Sequence, residues 1–150
     1  MTETTSLLRL YQKMSGWPFG HWLFSKAVCF KAPYFGTIAP RIIRLENGRC
    51  EAVIRDRRAV HNHIGSVHAI ALCNLAELCA GVMTDASLPK GMTVSYLKRA
   101  NGLMHATATP VIPIIATSAG YDLPVNVDVR NEAGETVFNA EIRMWLSPKK

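Results

Sequence analysis

A carboxylate at Glu77 interrupts the longest apolar tract of the chain, Ala69 to Met83. Such a group is costly to bury unless it is paired or put to use. Asn74 stands three residues earlier, so on a helix the two share a face, where the amide can hold the carboxylate or a water. Ahead of them Gly65 and Ser66 permit a tight turn. The free N–H groups of the helix's first turn would then meet an incoming oxygen with the helix dipole behind them. A base and an oxyanion hole are the parts that acyl transfer needs. His68 and Glu77 are nine residues apart, about 900° of helical rotation, which points them to opposite faces. One helix then cannot set both around one small carbonyl, whereas two helices related by a twofold axis can, and a site shared between subunits is expected. His61, His63 and His68 also offer an imidazole pair to a metal, but no carboxylate stands at ligand spacing, so no metal is expected.

The elements that would position these groups follow from periodicity. Leu7, Leu8, Leu10, Tyr11 and Met14 recur at helical spacing after the capping candidates Thr4, Thr5 and Ser6, and a second short helix fits between Pro18 and Pro33. Ile38 to Leu45 and Arg49 to Arg57 form a hairpin about Glu46-Asn47-Gly48, with Cys50, Ala52 and Ile54 inward. Gly65 to about Thr84 is the one long helix. Four antiparallel strands follow, at Met92–Arg99, Leu103–Val111, Leu123–Asn131 and Thr136–Leu146. In the last, Phe138, Ala140, Ile142 and Met144 alternate with Asn139, Glu141, Arg143 and Trp145, one buried face and one wet. Tyr96, Phe138 and Trp145 read as sheet packing. A sheet must bury its apolar face, and only the long helix is apolar enough to be wrapped. The fold class is therefore α+β, a single domain over 1–150 with a helical segment 1–35 and a core 36–147.

Composition narrows the partners. At 150 residues and 49% hydrophobic residues, with mean hydropathy +0.09, one core is affordable. The longest apolar tract falls short of the roughly 20 residues a spanning helix needs, and Met1–Ser6 lacks a basic region ahead of an apolar run, so a cytoplasmic protein without membrane association is expected. Four cysteines with no CxxC pair read as reduced thiols. Seventeen basic against eleven acidic residues give +6 and an affinity for anions. The cations are scattered, in small groups at Arg55–Arg58, Lys98-Arg99 and Lys149-Lys150, rather than interleaved with aromatics, which argues against nucleic acid.

Asn62-x-x-Gly65-x-x-His68, followed by an acid nine residues later, resembles the signature of hotdog-fold acyl-CoA thioesterases, with the phenylacetate-pathway type as the most similar branch. The resemblance covers roughly residues 36 to 147. It implies a curved antiparallel sheet wrapped around a central helix, with Glu77 as general base or nucleophile and the N–H of Ala69 as oxyanion donor. It further implies Asn62 positioning the thioester or water, Gly65 supplying the turn and His68 orienting the carbonyl. Asn74, Ser66, Lys98 and Arg99 are then the substrate-binding candidates, the last two as a basic rim for the phosphates of coenzyme A. The expected substrate is an acyl-CoA or acyl-carrier thioester, with coenzyme A as part of the substrate and no other cofactor. The expected assembly is a homodimer or a dimer of dimers. The chain departs from the usual His-Gly-Gly at His68-Ala69-Ile70, where Ile70 would narrow access. A non-catalytic hotdog protein that binds acyl chains or oligomerises is the alternative.

Overall fold

Buried and exposed side chains alternate along the sheet strands with the period the sequence carries, and this alternation sets which face covers the helix. The computed structural model describes residues 5–85 and 87–148; Thr4 of the capping candidates, the first residues and the pair Lys149-Lys150 lie outside them. Two helices, α1 (Ser6–Ser15) and α2 (Gly20–Lys31), and a 3-10 helix, Pro33–Ile38, precede the hairpin β1 (Arg41–Glu46) and β2 (Arg49–Ile54). Then come α3 (Ala69–Thr84) and strands β3 (Ser87–Tyr96), β4 (Met104–Pro110), β5 (Tyr121–Arg130) and β6 (Thr136–Leu146). The six strands form one antiparallel sheet in the order β1-β2-β4-β5-β6-β3, and α3 touches every one of them. This is the hotdog arrangement, a sheet curled about its helix. Cys50, Ala52 and Ile54 of β2, and Phe138, Ala140, Ile142 and Met144 of β6, all face the core as expected.

Several boundaries move: β2 ends at Ile54 rather than Arg57, and three further shifts have a local reason. The long helix begins at Ala69, not Gly65: Gly65 sits at φ +73°, outside the helical region, and the chain turns through a loop before His68 caps the helix. Residues 38–40 are not strand, because the 3-10 helix runs to Ile38 and Ala39 takes a left-handed φ of 46° before Pro40. The first strand after the helix starts at Ser87 and ends at Tyr96, so Lys98 and Arg99 lie beyond its end. Pro89 and Gly91 disguise its beginning, yet β3 is an edge strand, and an edge tolerates a proline that has no ladder bond to donate.

The helical hairpin α1–α2 packs on β1. Thr5 caps α1 through its hydroxyl, which accepts from Leu8 N at 3.1 Å, and the Asp85 carboxylate beyond α3 accepts from Ser6 N at 2.9 Å. Ser25 fastens α2 to the sheet: its hydroxyl donates to His21 O at 2.7 Å and accepts from the buried Ile42 N at 2.8 Å. Ser25→Ala strands that amide without an acceptor, a loss of about 1–3 kcal/mol. Thermal unfolding should show a Tm several degrees below wild type. A Tm within a degree of wild type would show that the amide finds another partner.

Candidate active site

Helix α3 is buried on nearly every side, since apolar and small residues fill ten of its positions. The exceptions are Ala69 in its first turn and then Ile70, Cys73, Asn74, Glu77 and Gly81, at the i, i+3, i+4, i+7 spacing of a single face. Along this stripe Cys73 Sγ meets the Tyr96 hydroxyl at 3.3 Å, and Asn74 Nδ2 donates to the Tyr34 hydroxyl at 3.3 Å. Glu77 has neither an ion pair nor a hydrogen bond among the described residues, and burial alone pushes its carboxyl above the ordinary value. Asn74 thus shares the face of Glu77, but its amide is directed to Tyr34.

The N-terminus of α3 is built by the preceding loop. Asn62 Oδ1 accepts from the N–H groups of Ile64 and Ser66, both at 3.1 Å, and its Nδ2 donates to the buried Ser66 hydroxyl at 2.9 Å. Gly65, at positive φ, makes the turn between them. Val67 N donates to Ala100 O at 2.8 Å and His68 N to Val60 O at 2.7 Å, which clamps the loop to its neighbours. The ring of His68 caps the helix, with Nδ1 accepting from Ile70 N at 3.0 Å, so a neutral imidazole carries its proton on Nε2. Among the described residues the N–H of Ala69, one residue before, has no acceptor, and it is left for an incoming oxygen.

Because His68 stands outside the helix as its cap, the half-turn offset from Glu77 expected of it does not apply. Axial separation takes its place: from Ala69 to Glu77 is eight residues, about 12 Å of rise. One protomer does not bring this N–H and this carboxylate to a single carbonyl.

Of the two expected basic rim residues, Arg99 reaches the loop, its Nη2 donating to Ile64 O at 2.5 Å. Lys98 turns away and pairs with Glu135 in the β5–β6 connection. Asp56, hidden in the sequence within Arg55-Asp56-Arg57-Arg58, has a positioning role that basic composition masked. One carboxylate oxygen accepts from Gly102 N at 2.7 Å and the other from His61 Nε2, which ties the β3–β4 connection to the loop ahead of α3. The bond from Gly102, then that from His61, holds its carboxyl below the usual range. The stabilisation this gives is present above the unfolded-state pKa and is lost as pH falls through the lowered folded value. Asp56→Asn should therefore lower Tm most near neutrality, with the gap to wild type closing in acid. A gap independent of pH would exclude a contribution from the charge.

Tyr34 and Tyr96, which reach the α3 stripe from the 3-10 helix and β3, were invisible as site residues, since neither belongs to a periodic motif with Glu77. The four cysteines are free thiols; Cys50 and Cys79 are buried in the core. No helix of the described residues is long and apolar enough to cross a membrane.

No curated protein matches the chain. Among solved structures, one from a genomics programme is 38% identical, covering 97% of this chain and 100% of that one at TM-score 0.78. A Pseudomonas aeruginosa protein described as a probable thioesterase is 23% identical over 83% of this chain and 93% of its own, at TM-score 0.68. A thioesterase enzyme from Staphylococcus aureus is 16% identical over 77% and 99%, at TM-score 0.68. These last two likenesses are of fold. The model of the family described as Domain of unknown function (DUF4442) matches residues 20–146, most of the chain and all six strands of its sheet, and the chain belongs to that family.

Proposed function

We propose that the chain hydrolyses an acyl thioester to a free acid and a thiol, at a site shared by two protomers. The observation that carries this reading is Glu77, a half-buried carboxylate without a partner among the described residues, held on the face of the central helix that they leave uncovered. The N–H of Ala69 polarises the thioester carbonyl with the helix dipole behind it. Glu77 from the other protomer deprotonates a water, or attacks the carbonyl carbon to give an anhydride that water then opens; in either course the thiolate leaves. Asn62 and Gly65 act through the loop that they shape. His68, its Nδ1 held by Ile70 N, keeps Nε2 available to the substrate, Asn74 stands on the face of Glu77, and the buried Ser66 acts with Asn62 through the loop. Self-association along β3 fits this geometry, because that strand ends the sheet with one edge unpaired among the described residues.

Support for the chemistry comes from the fold shared with proteins named thioesterases and from the loop-and-acid arrangement. The test is release of free thiol from short, medium, long and aryl acyl-CoA thioesters and from an acyl-carrier thioester, with the Glu77→Gln variant in parallel. Hydrolysis of at least one thioester by the wild type alone is expected. Equal inertness of both proteins would leave a non-catalytic acyl-binding module.

A further inference from the structure

Between Glu3 and Glu46 the sequence contains no acidic residue. Much of this segment folds into one wall of a groove of about 530 Å³, whose opposite wall is Val53 near the end of β2, the segment after it and Leu103. Lys26, Arg41, Arg55 and Arg57 line it, and no carboxylate of the described residues does. None of the four has an ion-pair partner among the described residues, whereas Arg44, Arg49, Lys90 and Lys98 each have at least one. Arg57 donates through Nη2 to Thr37 O at 2.8 Å, while its Nε is buried with no acceptor. Four cations that line one groove without a counter-charge among the described residues repel one another, and a buried donor left unpaired is unfavourable; an anion in the groove relieves both. Trp22 and Arg41 also line an adjoining hollow of about 310 Å³ with Trp17 and Phe19, so a ring-bearing shelf continues from the charged groove.

We infer that this groove binds the phosphorylated nucleotide end of a coenzyme-A-type thioester, with its phosphates on the arginines and Lys26 and its base against Trp22. The inference rests on the thioester reading and sharpens it, because an acyl-carrier protein delivers its acyl group without a nucleotide. The 3-10 helix Pro33–Ile38 joins the two regions: Gly36 lines the groove, Thr37 O holds Arg57, and Tyr34 reaches Asn74 on α3. Phosphate recognition thus moves from the Lys98-Arg99 rim to the N-terminal layer.

Calorimetric titration of the full chain with coenzyme A, adenosine 3′,5′-bisphosphate, pantetheine and a short single-stranded RNA tests this. Wild type is expected to bind the first two, and pantetheine at least about tenfold more weakly. Arg41→Gln/Arg55→Gln, a change at two exposed positions, should weaken coenzyme A and the bisphosphate by about tenfold or more. With a coenzyme A thioester as substrate, that loss should fall on KM rather than kcat. Unaltered coenzyme A affinity in the double variant, or RNA binding tighter than coenzyme A, would overturn the assignment. Nucleotide binding that vanishes in the double variant in a protein that cleaves no thioester would keep the groove and remove the hydrolase. Hydrolysis indifferent to the double variant would do the reverse.

Discussion

Glu77→Gln is expected to lower kcat for thioester hydrolysis by about 10²–10⁴-fold, the range a positioned general base contributes, while leaving the protein at least as stable as wild type at neutral pH. The two halves of this expectation have one cause. Burial raises the Glu77 carboxyl above its ordinary value, with no cation among the described residues to offset the effect. A carboxyl whose folded pKa is raised stabilises the folded state least where it is ionised, so stability falls as pH rises from the unfolded pKa through the folded one. Glutamine keeps the shape and removes that penalty. The same shift moves the acid limb of kcat/KM above the value of an ordinary glutamate, about 4.3. A variant with lost activity and a raised or equal Tm identifies a functional group held at the expense of stability. A variant that instead melts lower than wild type identifies a structural carboxylate and removes the base from the mechanism.

Stability and legibility divide along the same line. The core could be read from the sequence because burial imposes a period: Val125, Val127 and Val129 of β5 and the alternating residues of β6 are all fully or nearly fully buried where a period of two puts them. Glu77 could be read because a carboxylate in an apolar helix breaks its surroundings. What escaped depends on single contacts that leave no period. The β3 start at Ser87 was hidden by Pro89, and only the strand's position at the edge, a property of the whole sheet, makes that proline harmless. Helix propensity alone starts α3 four residues early, because the Gly65 turn and the His68 ring cap form a second, local structure that it does not report. Asp56 was lost among arginines, although its partners Gly102 and His61 lie in different loops. Glu51 is a parallel case on the outer face of β2. It is buried despite its charge; its desolvation is outweighed by bonds from Arg49 and His105, which pull its carboxyl below the usual range. Such carboxylates are found by their partners, and partners are a tertiary fact.

Ala69→Pro isolates the other half of the site. Ala69 is the first residue of α3, where proline is tolerated because the first-turn N–H has no helical partner to lose. His68, at φ −64° and ψ 139°, already has the extended backbone that a residue before proline requires. The substitution therefore deletes the proposed oxyanion donor with little change to the helix. It should cost about 10²–10³-fold in kcat, as loss of one such donor does, with an unfolding temperature near that of wild type. Refolding equal amounts of Ala69→Pro and Glu77→Gln chains together then separates a shared site from a local one. If each site takes the amide from one protomer and the carboxylate from the other, half the dimers are mixed and one of their two sites is intact. About a quarter of wild-type activity should return from two nearly dead proteins. A site contained within one chain predicts no recovery, since every protomer then lacks one of its two groups. The rise of about 12 Å between the two groups along α3 requires the first result.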